Sequence, residues 1–441
     1  MSAPSATSAR EVALQVVRDV FGPDQRGAQA AFDVRSRRAQ LDVRDRAFAA
    51  ELAYGSIKQR RLLDWHLAPY IGTRDKPLPP TIVDVLRIGA YQLRFMNGVD
   101  DHAAVSETVN LAWRHGHRGT AGLVNAVLRK MIADGAPVPF AGDFKSEDDY
   151  LGTAFSLPTW MAAQFGRAYN GERSAVLAGI NAAPQHAVRV NGLRATVAEV
   201  RGELEAAGLE VQGSAFVPES LVFSGGAIGD DPEGRWSLQS EAAAMPVDLL
   251  APPSGASVLE LCSGRGNKLV QLAARIGPEG HVTGVELDPK KVHALRETLE
   301  RLGIANAALV AGDAREAVPD ILALHVLLDA PCSGLGVIGR HPEARWRKTP
   351  EDGARFGTLQ GELLRAAADR TAPGGRLVYS VCSSDPREGR EVVEDFLSER
   401  TDFTRAQLPE RYDSFARDGD VVVPLGIEGR DGFYVAVLGR A

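Results

Sequence analysis

The chain has 441 residues, of which 44% are hydrophobic and 24% are charged. This length leads us to expect about three domains with a substantial core, and the ordinary composition excludes a disordered chain, a coiled coil and a small disulfide-stapled scaffold. The formal net charge of −7 is unevenly distributed, because residues 1–132 hold 19 Lys and Arg against 13 Asp and Glu, and the remainder holds 31 against 44. The N-terminal third is therefore a candidate surface for an anionic partner, although proteins without such a partner also carry modest positive charge.

Three cysteines are present, Cys262, Cys332 and Cys382, and no two of them form a C-x-x-C pair. This spacing indicates neither a zinc site nor a disulfide framework, so we expect no metal and reduced thiols. The N-terminus has no basic-then-apolar signal sequence, and the sequence has no run of about 18 apolar residues. We therefore predict no membrane insertion and a cytoplasmic location.

Residues 8 to about 132 show apolar positions at helical spacing. Ser8 and Glu11 have the spacing of a capping box at the start of the first helix. Glycine, proline and Asn-Gly punctuate the region. Further helical stretches are predicted at Arg46–Tyr70, Pro80–Phe95, Ala103–Trp113 and Gly119–Ile132. The pattern predicts an all-α domain over residues 1–135.

A stretch rich in Gly, Pro and acidic residues follows near residues 133–145 and predicts a linker. Residues 146–235 mix two helical stretches with short alternating ones, which predicts a small α+β segment. Residues 201–250 hold 2 basic against 9 acidic residues. Most of the surface of this segment is therefore expected to bind phosphate poorly.

From Trp236 to the end, short apolar strands alternate with amphipathic helices. The predicted strands are SVLELCS, HVTGVELD, AALVAGD, HVLLDAPC and RLVYSVCS. This alternation predicts an α/β fold over residues 236–441, with a Rossmann-like, doubly wound parallel sheet that binds ligands at the carboxyl ends of its strands. The closing stretches VVVP and GFYVAVLGR have no helix between them, so we expect an antiparallel hairpin at one edge.

The first of these strands runs into a glycine-containing turn suited to the close approach of a ligand. The residues of this turn are Cys262, Ser263, Gly264, Arg265, Gly266, Asn267 and Lys268. Glu286 ends the second strand, where its carboxylate can accept hydrogen bonds from ribose hydroxyls, and Asp313 ends the third in the same way. The lack of a full G-x-G-x-x-G favours an adenosylmethionine site over a dinucleotide site. Plain strand-ending turns are the alternative interpretation.

Two other strand ends resemble the paired-cysteine signatures of the Sun-type RNA cytosine-5 methyltransferases. The run Asp329-Ala330-Pro331-Cys332-Ser333 is similar to the first signature. Cys382-Ser383 is similar to the second, although the acidic run after it, DPREGRE, is only partly kept. In residues 1–135, the runs RDRAFAAELAYGSIKQRRLLD and GLVNAVLRKM resemble the antitermination factor NusB, whose fold precedes the catalytic domain in bacterial 16S ribosomal RNA methyltransferases. The resemblance covers nearly the whole chain.

The resemblance implies adenosylmethionine-dependent methylation of carbon 5 of a cytosine in RNA, with 16S ribosomal RNA or an assembling small subunit as the partner. It further implies that Cys382 is the nucleophile and that Cys332 assists product release. Asp329 is counted among the cofactor-binding residues, and it would also hydrogen-bond the edge of the base. The family turn reads Cys-Ala-Ala-Pro-Gly-Gly-Lys, so Arg265 and Asn267 are departures. Arg265 either pairs with the cofactor carboxylate or crowds it.

The run GRHPEARWRK after Cys332 places basic groups around Trp346, which predicts a contact with single-stranded RNA; the alternative is a solvated loop with one packed tryptophan. Arg189-Val190-Asn191 resembles a family tripeptide on the substrate side of the cleft. The target cytosine would be unpaired or flipped out. Two other functions stay open, the same chemistry on transfer RNA and a non-catalytic RNA-binding ribosome-assembly factor.

Overall fold

The computed structural model describes residues 8–72, 77–169, 171–226 and 228–441. The chain forms two compact units. Unit 1 is Met1–Gly166 with Arg340–Lys348, and unit 2 is Arg167–Gly339 with Thr349–Ala441. The division into residues 1–135, 146–235 and 236–441 stays a prediction. Among the described helices, none is both long and apolar enough to cross a membrane.

The N-terminal part is all-α, as predicted. Its helices are α1 (Ala9–Phe21), α2 (Ala28–Ala39), α3 (Val43–Lys58), α4 (Arg60–Ile71), α5 (Pro80–Phe95), α6 (Asp101–His115), α7 (Arg118–Ala133), α8 (Glu147–Ala154) and α9 (Thr159–Ala168). The boundaries of α5 agree with the sequence prediction. The predicted stretch Arg46–Tyr70 is instead two helices, because the backbone leaves the helical conformation at Gln59.

The first helix shows how the sequence builds the core of unit 1. The Ser8 hydroxyl accepts a hydrogen bond from the Glu11 amide at 3.2 Å and caps α1. The Glu11 carboxylate does not return to the cap; it accepts from Gln15 at 3.0 Å and contacts His115 at 2.9 Å. The valines of α1 face inward and are at most 2% exposed. They pack into one cluster with apolar residues of α2, α3, α5 and α7.

The small α+β segment is an antiparallel sheet with helices beside it. Its elements are α10 (Arg173–Gly179), β1 (His186–Val190), α11 (Val197–Ala206), β2 (Glu210–Gly213), β3 (Ser220–Ser224) and β4 (Trp236–Leu238). The strand order is β2-β3-β1-β4. The sheet and α11 bury a separate apolar cluster that includes Val188, Val200 and Leu221.

The remaining elements form the predicted doubly wound domain. They are α12 (Glu241–Leu250), β5 (Ser257–Leu261), α13 (Asn267–Ile276), β6 (His281–Glu286), α14 (Pro289–Leu302), β7 (Ala307–Ala311), β8 (Ala323–Asp329), α15 (Glu351–Asp369), β9 (Thr371–Val381), α16 (Arg390–Glu399), β10 (Phe403–Arg405), β11 (Ala416–Arg417), β12 (Asp420–Val423) and β13 (Phe433–Arg440). The main path of the sheet is β11-β12-β13-β9-β8-β5-β6-β7, and β10 pairs with β13. The strands from β9 to β7 are parallel, and the predicted antiparallel pairing of β12 with β13 is confirmed.

The register of the parallel strands determines which residues meet at the carboxyl edge of the sheet. Leu261, the last residue of β5, lies opposite Val285 of β6 and Leu328 of β8. Asp329 of β8 lies opposite Ser380 of β9. Residues that follow these positions therefore emerge side by side, which is where a doubly wound sheet binds its ligand.

The segment Arg340–Lys348 belongs to unit 1, although it follows Cys332 by only a few residues. Arg345 is fully buried and donates to the Ser156 carbonyl at 3.3 Å. The Trp346 indole donates to the Ile57 carbonyl at 2.7 Å, and Arg347 donates to two backbone carbonyls of the same unit. The prediction that this run contacts RNA is therefore wrong for Arg345, because its side chain is fully buried in the helical domain; for the half-exposed Trp346 and Arg347 it stays a prediction.

Candidate active site

The turn after β5 and the end of β6 form one hydrogen-bonded corner. Gly264 has a φ of +58°, and its amide donates to the Glu286 carboxylate at 2.8 Å. The same carboxylate accepts from the Asp288 amide at 3.0 Å. Gly266 has a φ of +81°, and a Cβ there would lie 2.1 Å from Leu295. Position 266 therefore requires glycine, both because of its backbone conformation and because a side chain would collide with Leu295.

A buried lysine links this turn to the next two strands. Lys268 is 8% exposed, and its Nζ lies 2.7 Å from Oδ2 of Asp329 at the end of β8. The other carboxylate oxygen of Asp329 accepts from the Ser380 hydroxyl at 2.7 Å. A charged pair of this kind is expensive to separate once it is removed from water. The structure thus fixes the Asp329 carboxylate between the turn after β5 and β9.

The other predicted cofactor residues differ in their surroundings. Arg265 and Asn267 are exposed, and Ser263 is buried. Asp313 follows β7 but is already bound by Arg315, which donates to it from the backbone at 2.9 Å and from the guanidinium at 2.6 Å. These hydrogen bonds hold the pKa of Asp313 below its usual value. The cofactor-binding roles of these residues stay predictions.

The structure brings Cys332 and Cys382 together. Both cysteines are free and half-buried, and their Sγ atoms lie 3.4 Å apart, within range of a thiol hydrogen bond. The hydrogen bond to Cys382 and burial raise the pKa of Cys332 well above its usual value. The thiol of Cys332 therefore stays protonated more readily than an ordinary cysteine.

Cys262 is placed differently from this pair. It follows β5 with a φ of +65°. Burial, with the nearby carboxylates of Asp329, Glu286 and Glu260, raises the pKa of its thiol to about 12. A thiol that stays protonated at neutral pH is a poor nucleophile. Cys262 thus lies on the turn after β5, whereas Cys332 and Cys382 follow β8 and β9 and contact each other.

Glu388 is a residue of this site that the sequence prediction did not assign. Its side chain is fully buried, and its carboxylate accepts from the Ser333 amide at 2.6 Å and from the Ser383 hydroxyl at 2.6 Å. The Ser333 hydroxyl also donates to it. Gln360 donates to the same carboxylate at 3.3 Å. Since Ser333 follows Cys332 and Ser383 follows Cys382, one carboxylate holds both cysteine loops. The acidic run after Cys382 in the sequence was the signal that could have identified Glu388.

Glu260, near the end of β5, was also missed. It is 1% exposed, and the Ser263 hydroxyl, which is also buried, is its hydrogen-bonding neighbour. Burial raises the pKa of Glu260 to about 7. Leu287, next to Glu286, is 66% exposed. Buried polar groups and an exposed apolar side chain beside the Glu286 carboxylate have the character of a site for a ligand with a polar end and a flat ring. An acidic residue inside an apolar strand was the available signal.

The order of the sheet and the residues at its carboxyl edge define a class of enzyme. A parallel sheet of this order, with a glycine turn after β5 and a carboxylate ending β6, belongs to the Rossmann-like, adenosylmethionine-dependent methyltransferases. Family models agree. Residues 247–439 match the 16S rRNA methyltransferase RsmB/F, residues 7–133 the NusB family, and residues 157–227 the RsmF/B-like ferredoxin-like domain.

Relatives of known sequence and structure match nearly the whole chain. The probable ribosomal RNA small subunit methyltransferase B of Bacillus subtilis is 31% identical, with 98% of each chain covered. The ribosomal RNA small subunit methyltransferase B of Thermus thermophilus is 37% identical, with 99% of this chain and 98% of the relative covered. The crystal structure of PH0851 has a TM-score of 0.82 at 26% identity over both whole chains. The chain belongs to the RsmB/F family of 16S ribosomal RNA methyltransferases, which confirms the predicted resemblance.

Proposed function

We propose that this protein methylates carbon 5 of a cytosine in RNA through a covalent adduct with Cys382. The observation that carries the proposal is the 3.4 Å contact between the Cys332 and Cys382 sulfurs at the carboxyl edge of the sheet. Carbon 5 of cytosine is a weak nucleophile by itself. Attack of a thiolate on carbon 6 makes carbon 5 electron-rich and divides one difficult step into two easier ones.

The cofactor is expected in the corner formed by the turn after β5 and Glu286. Bound adenosylmethionine supplies an electrophilic methyl group. Glu286 would accept hydrogen bonds from the ribose, and Glu260 with Ser263 would take the polar end, because both are buried polar groups beside the turn after β5. Closing this corner around a ligand satisfies polar groups that otherwise cost free energy.

Asp329 is positioned to act on the base. Lys268 and Ser380 bind its two oxygens at 2.7 Å each and fix the plane of the carboxylate. This carboxylate would accept a hydrogen bond from the amino group of cytosine and orient the base. It would also accept from the ring nitrogen and stabilise the proton that this nitrogen takes up from solvent as Cys382 attacks. Lys268 would hold Asp329 in place during that step.

Product release follows from the coupling of the two thiols. The charge of Cys382 is one of the causes that raise the pKa of Cys332. When the Cys382 sulfur is bonded to carbon 6 it carries no negative charge, so the pKa of Cys332 falls and this thiol can ionise. The Cys332 thiolate then takes the proton from carbon 5. The electron pair of that C–H bond restores the ring double bond, and the bond between carbon 6 and Cys382 breaks.

Ribosomal RNA of the small subunit is the substrate we propose, since the curated relatives carry that substrate in their names over nearly the whole length of this chain. The N-terminal helical domain, with its excess of Lys and Arg, would supply RNA affinity. A mechanism that depends on free thiols also fits the reducing cytoplasm, where ribosomes assemble.

The test is methyl transfer from labelled adenosylmethionine to 16S ribosomal RNA, free or in small-subunit particles, with 5-methylcytosine measured by mass spectrometry of nucleosides. Cys382→Ala should abolish product while cofactor binding by calorimetry is unchanged. Cys332→Ala should accumulate a protein–RNA adduct that survives denaturation. Cys262→Ala is the thiol comparison: it should still form and release the adduct, and any loss should appear in cofactor binding, because this residue lies in the turn after β5.

Three outcomes would overturn parts of the proposal. Full activity of Cys382→Ala would refute covalent catalysis. Preferential methylation of transfer RNA would refute the ribosomal substrate. No binding of adenosylmethionine at millimolar concentration would favour a non-catalytic assembly factor.

A further inference from the structure

A basic cavity of about 640 Å³ lies in unit 1, among helices α1, α2, α4 and α5. Four arginines line it, against two aspartates. The arginines are Arg18, Arg35, Arg60 and Arg87, and the aspartates are Asp19 and Asp84. A concave site of this size accommodates a small ligand or one unit of a polymer. The excess of cations indicates an anionic occupant.

Two of the arginines already have carboxylate partners. Arg35 holds Asp19 in a two-pronged ion pair, with distances of 2.7 and 2.8 Å. Arg87 binds Asp64 and Asp84, each at 2.7 Å. These pairs shape the walls and neutralise the charge there. They leave Arg18 and Arg60 as the groups available to a ligand.

The guanidinium of Arg60 stacks on an aromatic ring. It lies 3.8 Å from the centre of the Phe21 ring, and within the described part of the chain no residue forms a hydrogen bond or ion pair with it. Stacking occupies the face of the guanidinium and leaves its N–H edges free. Burial and the charge of Arg87 lower the pKa of Arg60, and the carboxylates of Asp64 and Asp84 offset this only in part. Arg18 is exposed at the same cavity and likewise has no partner within the described residues.

We infer that this cavity binds a phosphate group of single-stranded RNA, held by the N–H edges of Arg60 and by Arg18. The planar fork of a guanidinium matches two phosphate oxygens. The rest of the lining includes Phe21, Leu78, Pro80 and Val83, which suit the flat face of an adjacent base. An acidic peptide would use the cations but not this apolar wall. The inference rests on the proposed RNA substrate. The excess of Lys and Arg suggests only that the N-terminal domain binds RNA, whereas the inference places part of that RNA affinity in this cavity.

The experiment measures RNA affinity of the full chain without adenosylmethionine. A short, fluorescently labelled single-stranded RNA is titrated by anisotropy at several salt concentrations. The double variant Arg18→Gln with Arg60→Gln should bind at least about tenfold more weakly. Its plot of log affinity against log salt should be shallower by about 0.7, since the two arginines hold one phosphate and each phosphate contact on a single strand contributes about 0.7. The matched control is Arg118→Gln with Arg129→Gln, which removes two exposed charges of α7 outside the cavity.

A second variant leaves every arginine in place. Thr81→Glu adds a carboxylate to the cavity lining and should weaken RNA binding with little change in thermal stability. Equal losses of RNA affinity in the Arg18→Gln, Arg60→Gln variant and in the α7 control would overturn the inference, since they would show that any surface cation attracts RNA equally. An unchanged RNA affinity of Thr81→Glu would also overturn it. Competition by polyglutamate, or by a nucleoside monophosphate, as strong as that by RNA would assign the cavity to that ligand.

The same data separate this inference from the proposed reaction. A protein that binds RNA through this cavity but forms no 5-methylcytosine refutes the proposed reaction alone. A protein that methylates RNA while the cavity variant binds as well as the α7 control refutes the cavity assignment alone.

Discussion

Replacing Glu388 with alanine should loosen both cysteine loops at once. The carboxylate accepts from the Ser333 amide, from the Ser333 and Ser383 hydroxyls and from Gln360. Without it, Gln360 still binds the Pro331 carbonyl at 2.8 Å, and the two hydroxyls, 3.0 Å apart, can bond to each other. The Ser333 amide is then buried without an acceptor. One lost acceptor costs about 1–3 kcal/mol and the cavity adds to it, so we expect a loss of about 4 kcal/mol in the free energy of unfolding.

Activity should fall more than stability alone explains. A displacement of about 1 Å at reacting groups can cost about a hundredfold in rate, so kcat of Glu388→Ala should drop by about that factor at a temperature where the variant is folded. Glu388→Gln should recover most of both losses, because its amide oxygen can face the Ser333 amide while its nitrogen donates to the hydroxyls.

The assays are urea unfolding, kcat for 5-methylcytosine formation and the pH profile of thiol alkylation. Glu391→Ala, an exposed glutamate of the same acidic run, is the matched control. If Glu388→Ala keeps the wild-type kcat and unfolds with the wild-type free energy, then this carboxylate does not position the thiols.

For three further substitutions the structure predicts the direction of the change in stability. Folded Glu260 keeps its proton to about pH 7, whereas an unfolded glutamate loses it near 4.5, so its stabilising contribution is complete below about pH 4.5 and is lost as pH rises to about 7. Urea titrations should show a fall of about 3 kcal/mol across that window that is absent in Glu260→Gln; equal pH slopes would contradict this. Gly266→Ala should lower the free energy of unfolding by about 3 kcal/mol, because its Cβ would lie 2.1 Å from Leu295 at a φ of +81°. It should also bind adenosylmethionine more weakly by calorimetry. A melting temperature equal to that of the wild type would contradict this prediction. Trp346→Ala should lower the unfolding free energy by about 3 kcal/mol through lost packing and the lost bond to Ile57, and an unchanged denaturation midpoint would count against it.

Local patterns in the sequence were sufficient to predict the elements that carry the chemistry. The period of apolar residues predicted α5 over Pro80–Phe95, and alternating strands and helices predicted the doubly wound sheet. Strand ends placed Cys332 and Cys382 at one edge, because parallel strands share their direction. The break between α3 and α4 escaped prediction, since Gln59 is neither Gly nor Pro.

Contacts between distant positions could not be predicted in this way. Arg345 and Trp346 have the composition of an RNA-binding loop, yet the backbone carbonyls of Ser156 and Ile57 bind them. Whether a basic side chain faces solvent or a buried carbonyl depends on tertiary packing, which a local pattern does not contain. Glu388 and Glu260 escaped for a related reason, because the importance of a carboxylate depends on how deeply it is buried.

The insertion of Arg340–Lys348 into unit 1 also sets an order of events during synthesis. The N-terminal helices leave the ribosome long before residue 345 is made, so they first fold without the side chain that fills part of their core. Unit 1 reaches its final packing only after the chain has passed through β5 to β8 and the Cys332 loop. A nascent chain arrested before residue 340 should therefore carry a helical domain that proteases cut more readily than the same domain in the finished protein.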